Sequence, residues 1–486
     1  MLVATAAWLF AGSQATGRIS EKLLGSVPAG IMATVTSRDG LHVAYAVQKD
    51  DKQLVVIDGQ PEPEYDGIGK GNLVFSPDSK RVAYAARKGD RQFLVIDGQP
   101  GPECDGIVEG SLAFSPDGKR VAYEARKGGK QFVVVDGQPG PEYDGILEVS
   151  PVFSRDGKRF AYGAGIGDKQ LVVVDGQPGP EYDDIRYGSP VFSPDGKRVA
   201  YAARKGDQQL VVVDGQPGLE YDGLGEDDPV FSPDGRHVAY EAGKGDKQFV
   251  VIDGQPGPDY DEIGEDSPLL SPDGKRVGYV ARKGGKQLAV IDRQPGPEYD
   301  GISEGSLVFS PDGKHVAYVA HRGDKRLVVI DGQTGPEYDR ISEGSLVFSP
   351  DGKRVAFVVD KGDKQFVVVD RRPGTEYDRI GEGSLVFSPD GRRVAYVVDK
   401  GDEQFVVIDG QPGPEYDGIS EGSLVFSPDG KRFAYEAHKG DKQLVAIDGQ
   451  PGPGYDGIVK GGPAFRPDGS LEYLAMRSGR LYRVKQ

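Results

Sequence analysis

Cysteine is almost absent: Cys104 is the single one in 486 residues, which excludes an intrachain disulfide framework and any zinc site built from cysteines. Five histidines leave few imidazoles for a metal site or a general base. No apolar run approaches the roughly 20 residues that span a bilayer as a helix. Basic charge is short, with 59 Lys and Arg against 76 Asp and Glu. The net charge of −17 argues against a nucleic-acid partner. Asn72 is the only asparagine and stands outside any glycosylation sequon. What is abundant is turn chemistry, 72 glycines and 35 prolines. That share falls just short of disordered chains, and the apolar share counted with glycine is ordinary, so a folded chain rich in turns is expected.

The order is repetitive. A Ser-Pro-Asp-Gly-like tetrapeptide recurs with its aspartates at Asp39, Asp78, Asp117, Asp156, Asp195, Asp234, Asp273, Asp312, Asp351, Asp390, Asp429 and Asp468. The spacing is 39 residues throughout, giving twelve copies without an insertion or deletion between these aspartates. Within one copy, Ser111 to Phe114 is a brief apolar run and Pro116-Asp117-Gly118-Lys119 a turn. Arg120 to Arg126 forms a second run, Lys127-Gly128-Gly129-Lys130 turns again, and Gln131 to Val135 is a β-branched strand. Asp136-Gly137-Gln138-Pro139-Gly140-Pro141 breaks any helix or central strand, and Tyr143 to Ile146 is expected as a short fourth strand. No segment has a helical period.

A four-stranded unit of about 40 residues is the pattern of a β-propeller blade. A single meander cannot bury both faces, whereas stacking between two neighbours can. The fold class is therefore all-β, a propeller of twelve 39-residue blades. Phe309 to Tyr318, FSPDGKHVAY, resembles the WD40-like Pro-Asp repeat of TolB-type propellers, and the resemblance runs from about residue 30 to 475. It implies the propeller fold. The Asp-Gly-Gln-Pro-Gly-Pro-Glu-Tyr-Asp-Gly-Ile segment departs from the family, and TolB's separate α/β domain has no counterpart among these residues.

Twelve copies make two six-bladed rings or one large ring. The last copy stops after its third strand, Arg480 to Val484, and a strand somewhere in Ile19 to Ala29 would close either arrangement. The phenylalanine three residues before the motif Asp is missing only from copies one and seven, as Thr36 and Leu270. Copy seven also carries Gly278 and Arg293 where alanine and glycine are usual, and Arg371 in copy nine is a similar departure. These marks favour two six-bladed rings, with repeats one to six in residues 26–264 and seven to twelve in 265–486. Residues 1–25 form an N-terminal segment. Its apolar Leu2 to Ala11 fits an export signal, without the usual basic start, as well as a packed strand. The chain is then periplasmic or secreted in the first case and cytoplasmic in the second.

Nothing in the pattern points to catalysis or to a cofactor. P-loop, H-E-x-x-H, C-x-x-C and G-x-S-x-G motifs are all missing. His42, His237 and His315 replace an arginine three residues after the motif Asp, and read as surface variants. His321 and His438 replace arginines such as Arg126 nine residues after it. They do not make a metal site. Aspartates recur at offsets 19 (Asp136, Asp331) and 27 (Asp144, Asp339); a calcium ring is conceivable, but a residue required in every blade reads as a fold requirement. Cys104 fills a tyrosine column and reads as structural.

The first and third turns of each blade share one face of the ring; Pro-Asp-Gly and Gly-Gln-Pro-Gly-Pro-Glu-Tyr are placed there and hardly vary. The second turn and the inter-blade link share the other face, which carries the variation. Loops on a rigid scaffold are where binding specificity resides. The expectation is a non-catalytic binding or scaffold propeller that engages a protein, peptide or glycan through Arg186, Tyr187, His321, Arg340, Asp360, Arg379, Asp399 and His438. The alternatives are a channel-located lyase or hydrolase, and an accessory gating propeller for a separate peptidase.

Overall fold

A computed structural model describes residues 19–26, 31–147, 151–186, 190–265, 268–459 and 461–486. The Leu2–Ala11 stretch lies outside the described residues. Twelve antiparallel sheets follow one another in chain order. Among the described residues there is no helix, so none is long and apolar enough to cross a membrane.

Blade 3 represents the set. Its second strand, Val121–Lys127, pairs with the third, Lys130–Val135, in the register Ala122↔Val135 to Lys127↔Lys130. Both strands are buried on both faces along most of their length, which is why they read as unbroken apolar runs. The first strand comes in two short pieces, Gly106–Ile107 and Ala113–Phe114, that both pair with the second. Between them the backbone bulges. Ser111 bridges the gap: its hydroxyl donates to the Val108 carbonyl and accepts the Glu124 N–H.

The fourth strand corrects the sequence expectation. Gly145–Ile146 opens the next blade by pairing with its second strand. The outer strand is instead the proline-rich segment. Gln138–Pro139 pairs with the third strand, Gly140 N–H donates to the Val133 carbonyl, and Tyr143 bridges Gln131. Proline is tolerated because this is the sheet edge, where a missing N–H costs no ladder bond. It follows that Gln-Pro-Gly-Pro-Glu-Tyr does not stay on the Pro-Asp-Gly face. It runs along the perimeter to the opposite face.

The blades form one ring. Twelve apolar clusters join successive blades, one per interface. Blade 6 packs on blade 7 through Val250 and Ile252 against Val277 and Leu288. Blade 12 packs on blade 1 through Leu474 and Leu481 against Val43 and Val56. Two six-bladed rings would instead have set blade 6 against blade 1, so that favoured arrangement gives way to the single large ring. Ser20–Ser26 pairs antiparallel with Arg480–Lys485 and supplies the missing fourth strand of blade 12. Glu21 secures it, accepting from the Tyr455 hydroxyl at 2.7 Å and from Arg477 at 2.6 Å.

The repeated columns are explained at the interfaces. Asp136 sits at φ 51°, a left-handed turn position that aspartate tolerates. Its carboxylate accepts the Val121 N–H at 2.9 Å and the Arg120 Nε at 2.8 Å. Arg120 then crosses to blade 4, donating to the Lys158 carbonyl at 2.6 Å and lying 5.6 Å from the Phe153 ring centre. This arginine is therefore an inter-blade staple rather than a mere surface cation. The motif Asp117 accepts from Ser115, and that hydroxyl with Lys119 holds its carboxyl down at about 2. Gly157 of the next blade, at φ 71°, lies so close that a Cβ would meet Asp117 Oδ1 at 2.7 Å. Asp144 receives Lys130 from its own blade and the Gly167 N–H from the next. All three aspartate columns thus have fold-building partners.

Candidate partner-binding face

On the face of second turns and inter-blade links, the variable residues come from two cross-strand columns. In the first, the residue opening each first strand faces the end of the second strand. The pairs are Glu262 with Arg282, Gly301 with His321, Arg340 with Asp360, Arg379 with Asp399 and Gly418 with His438. The charge order reverses between blades. Glu262 meets Arg282 at 2.9 Å, while Arg340 meets Asp360 at 3.3 Å and Arg379 meets Asp399 at 4.0 Å. In the second column, at the bulge, volumes compensate: Leu147 leans over Gly163, and Gly225 accommodates Glu241, whose Cβ lies only 2.6 Å from where a glycine Cβ would stand.

The expected site residues fall in several places. Arg340, Asp360 and Arg379 line one cleft of about 710 Å³ between blades 9 and 10. His321 lines a cleft of about 910 Å³ beside blades 7 and 8, and Glu343 lines both, so the two are contiguous. The Arg340 and Arg379 side chains are 70% and 65% exposed, while Asp360 and Asp399 are held from below by Gln365 at 2.5 Å and Gln404 at 2.7 Å. His321 Nε2 lies 2.8 Å from Ser303 Oγ, and burial lowers its pKa. His438 makes the equivalent contact with Ser420 at 3.0 Å, in a different blade. Arg186 is apart from this group. It spans blades 5 and 6, donating to Gln209 Oε1 at 3.1 Å and to the Gly225 carbonyl. Tyr187 lies outside the described residues.

The structure adds acidic groups that the sequence reading passed over. The middle residue of the inter-blade link is glutamate in eight of eleven links, a column that was there to be read. Glu343 and Glu382 line the cleft between blades 9 and 10. Glu304 lies against Glu265 of the preceding blade, and a hydrogen bond between the two carboxyls, together with their mutual repulsion, raises the Glu265 pKa. One position inward, Glu241 is raised to about 7 by burial and by Asp227, against the opposing pull of Arg186. Burial likewise raises Glu124. The cleft walls thus carry more carboxylates than cations, with the two arginines projecting at the rim.

No family model and no curated protein matches the chain. Solved structures similar to it include a eukaryotic initiation factor at 14% identity, covering 70% of this chain and 96% of that one, with a TM-score of 0.35. TolB from Acinetobacter baumannii is similar at 17% identity over 55% of this chain and 77% of its own, TM-score 0.25. The GH74 enzyme of Niastella koreensis is similar at 11% identity over 94% and 90%, TM-score 0.27.

Proposed function

We propose that the chain is a non-catalytic binding propeller that engages a protein, peptide or glycan through the variable face at blades 7 to 10. The observation that supports this reading is the pair of contiguous clefts lined by His321, Arg340, Asp360 and Arg379. Most staple and turn columns of the Pro-Asp-Gly face repeat the same side chains from blade to blade; here neighbouring blades differ in charge and leave open volume. Charged groups on a rigid frame give specificity without chemistry.

The test compares two variants in partner capture followed by direct titration of the captured species. Arg340→Ala with Arg379→Ala is expected to weaken binding at least tenfold. Lys119→Ala with Lys158→Ala, on the Pro-Asp-Gly face, is expected to leave it unchanged. Loss of binding in the second variant with the first silent would overturn the assignment.

A further inference from the structure

Four of the twelve interfaces have no arginine at the staple position, which His42, His237, His315 and Ser470 occupy; copy 12 is one residue shorter after Asp468, so the Ser470 carbonyl accepts the Arg466 N–H as that of Arg120 accepts the Ser115 N–H. Three of them are filled in other ways. Between blades 12 and 1, Arg483 donates to the Leu41 carbonyl at 2.5 Å. Between blades 6 and 7, Arg293 takes the place of a turn glycine at φ 64° and donates to the Gln255 carbonyl at 3.1 Å. Between blades 1 and 2, the His42 ring lies 6.3 Å from that of Phe75.

The interface of blades 8 and 9 is different. His315 is turned to Asp331 at 2.6 Å, and a cleft of about 310 Å³ opens where the staple would lie. Its walls include Val328, Ile330, Phe348, Val355 and Phe357. Two further departures from the repeat converge here. Phe357 stands in a column that is otherwise tyrosine, which leaves Tyr338, 5.9 Å away ring to ring, as the one phenol lining the cleft. Arg371 replaces a turn glycine at φ 66° and lines the cleft. Unlike Arg293, Arg371 has no hydrogen bond or ion pair among the described residues. The other polar groups are partnered: Asp331 is hydrogen-bonded to His315, Asp370 is paired with Arg354 at 2.8 Å, and Lys353 with Asp351 at 3.3 Å. A side chain in the left-handed region is strained, and such strain collects at functional positions. The cleft therefore combines an apolar interior with one unmatched guanidinium, on a chain whose net charge is −17.

We propose that this cleft binds a small amphipathic anion, its apolar body between Phe348, Val355 and Phe357 and its carboxylate or sulfonate on Arg371. The site lies on the Pro-Asp-Gly face and is independent of the partner-binding face. Binding is tested on the full chain with two fluorescent probes, the anion anilinonaphthalenesulfonate and its uncharged analogue phenylnaphthylamine. One sulfonate probe is expected per chain. H315R, which restores the bulky staple, is expected to abolish binding of both. R371G, which restores the repeat's own glycine and so preserves the turn, is expected to weaken the sulfonate at least tenfold and the neutral probe less than twofold. H237R adds the same group between blades 6 and 7 and is expected to change neither; melting curves confirm that each variant is folded. No saturable binding, binding by H315R equal to wild type, or equal effects of R371G on both probes would overturn the proposal.

Discussion

Arg159→Ala tests whether the repeated arginine holds the ring together. In blade 4 its Nε meets Asp175 at 2.8 Å, its Nη1 donates to the Lys197 carbonyl of blade 5 at 2.5 Å, and its guanidinium lies 5.4 Å from the Phe192 ring centre. With the side chain 31% exposed, the charged hydrogen bond contributes about 1 kcal/mol, the ion pair about 0.5 and the ring contact about 0.5. Truncation should thus cost about 2 kcal/mol, close to a thirtyfold change in local opening. Arrays of repeats need not melt in one step, so the assay is native-state hydrogen exchange of second-strand amides in blades 4 and 5. His315→Ala, which removes only a contact to its own blade's Asp331, is the comparison and should cost about 0.5 kcal/mol or less. A cycle with Phe192→Leu should show a coupling of about 0.5 kcal/mol. Equal effects of Arg159→Ala and His315→Ala, with no coupling to Phe192, would refute the staple.

Other outcomes follow from the same contacts. Deleting residues 1–26 bares the Arg480–Lys485 edge of blade 12, and size-exclusion chromatography should show association through that open strand. Cys104 leaves a cavity of about 160 Å³ beside Tyr123 and Phe132, in a column where Tyr143 packs edge-on to Tyr162 at 6.3 Å. Cys104→Tyr should therefore raise stability by about 1 kcal/mol in a urea titration. Glu241 holds its proton more tightly folded, with a pKa of about 7, than at the ordinary 4.5. Its contribution is favourable below about pH 4.5 and is lost as the pH rises to about 7; Glu241→Gln should flatten that part of the melting-temperature profile.

Several elements were legible in the residues alone. The second and third strands announced themselves because a sheet buried on both faces needs unbroken apolar runs, as in Val121–Lys127 and Lys130–Val135. The fourth strand did not, because its prolines are permitted only by its being an edge, and edges are a property of the assembled sheet. The variable columns around Arg340 and Asp360 were visible as variation, but their pairing across strands and the cleft they share needed the register. Copies one and seven stood out through Thr36 and Leu270, and these fill the phenylalanine column that the staple arginine meets elsewhere, following the two blades that carry Ser470 and His237 in place of that arginine. What looked like the opening of two rings is the loss of both halves of one inter-blade contact.

The sequence by itself determined the 39-residue period, the all-β meander and the number of blades, because these depend on local turn chemistry and on alternation within one unit. Only the tertiary structure decided that the twelve blades close as one ring. Both closures satisfy the same strand edges, since Ser20–Ser26 would complete either ring. The choice lies in how each blade is angled against the next through side chains 39 residues apart, and no local pattern records that sum.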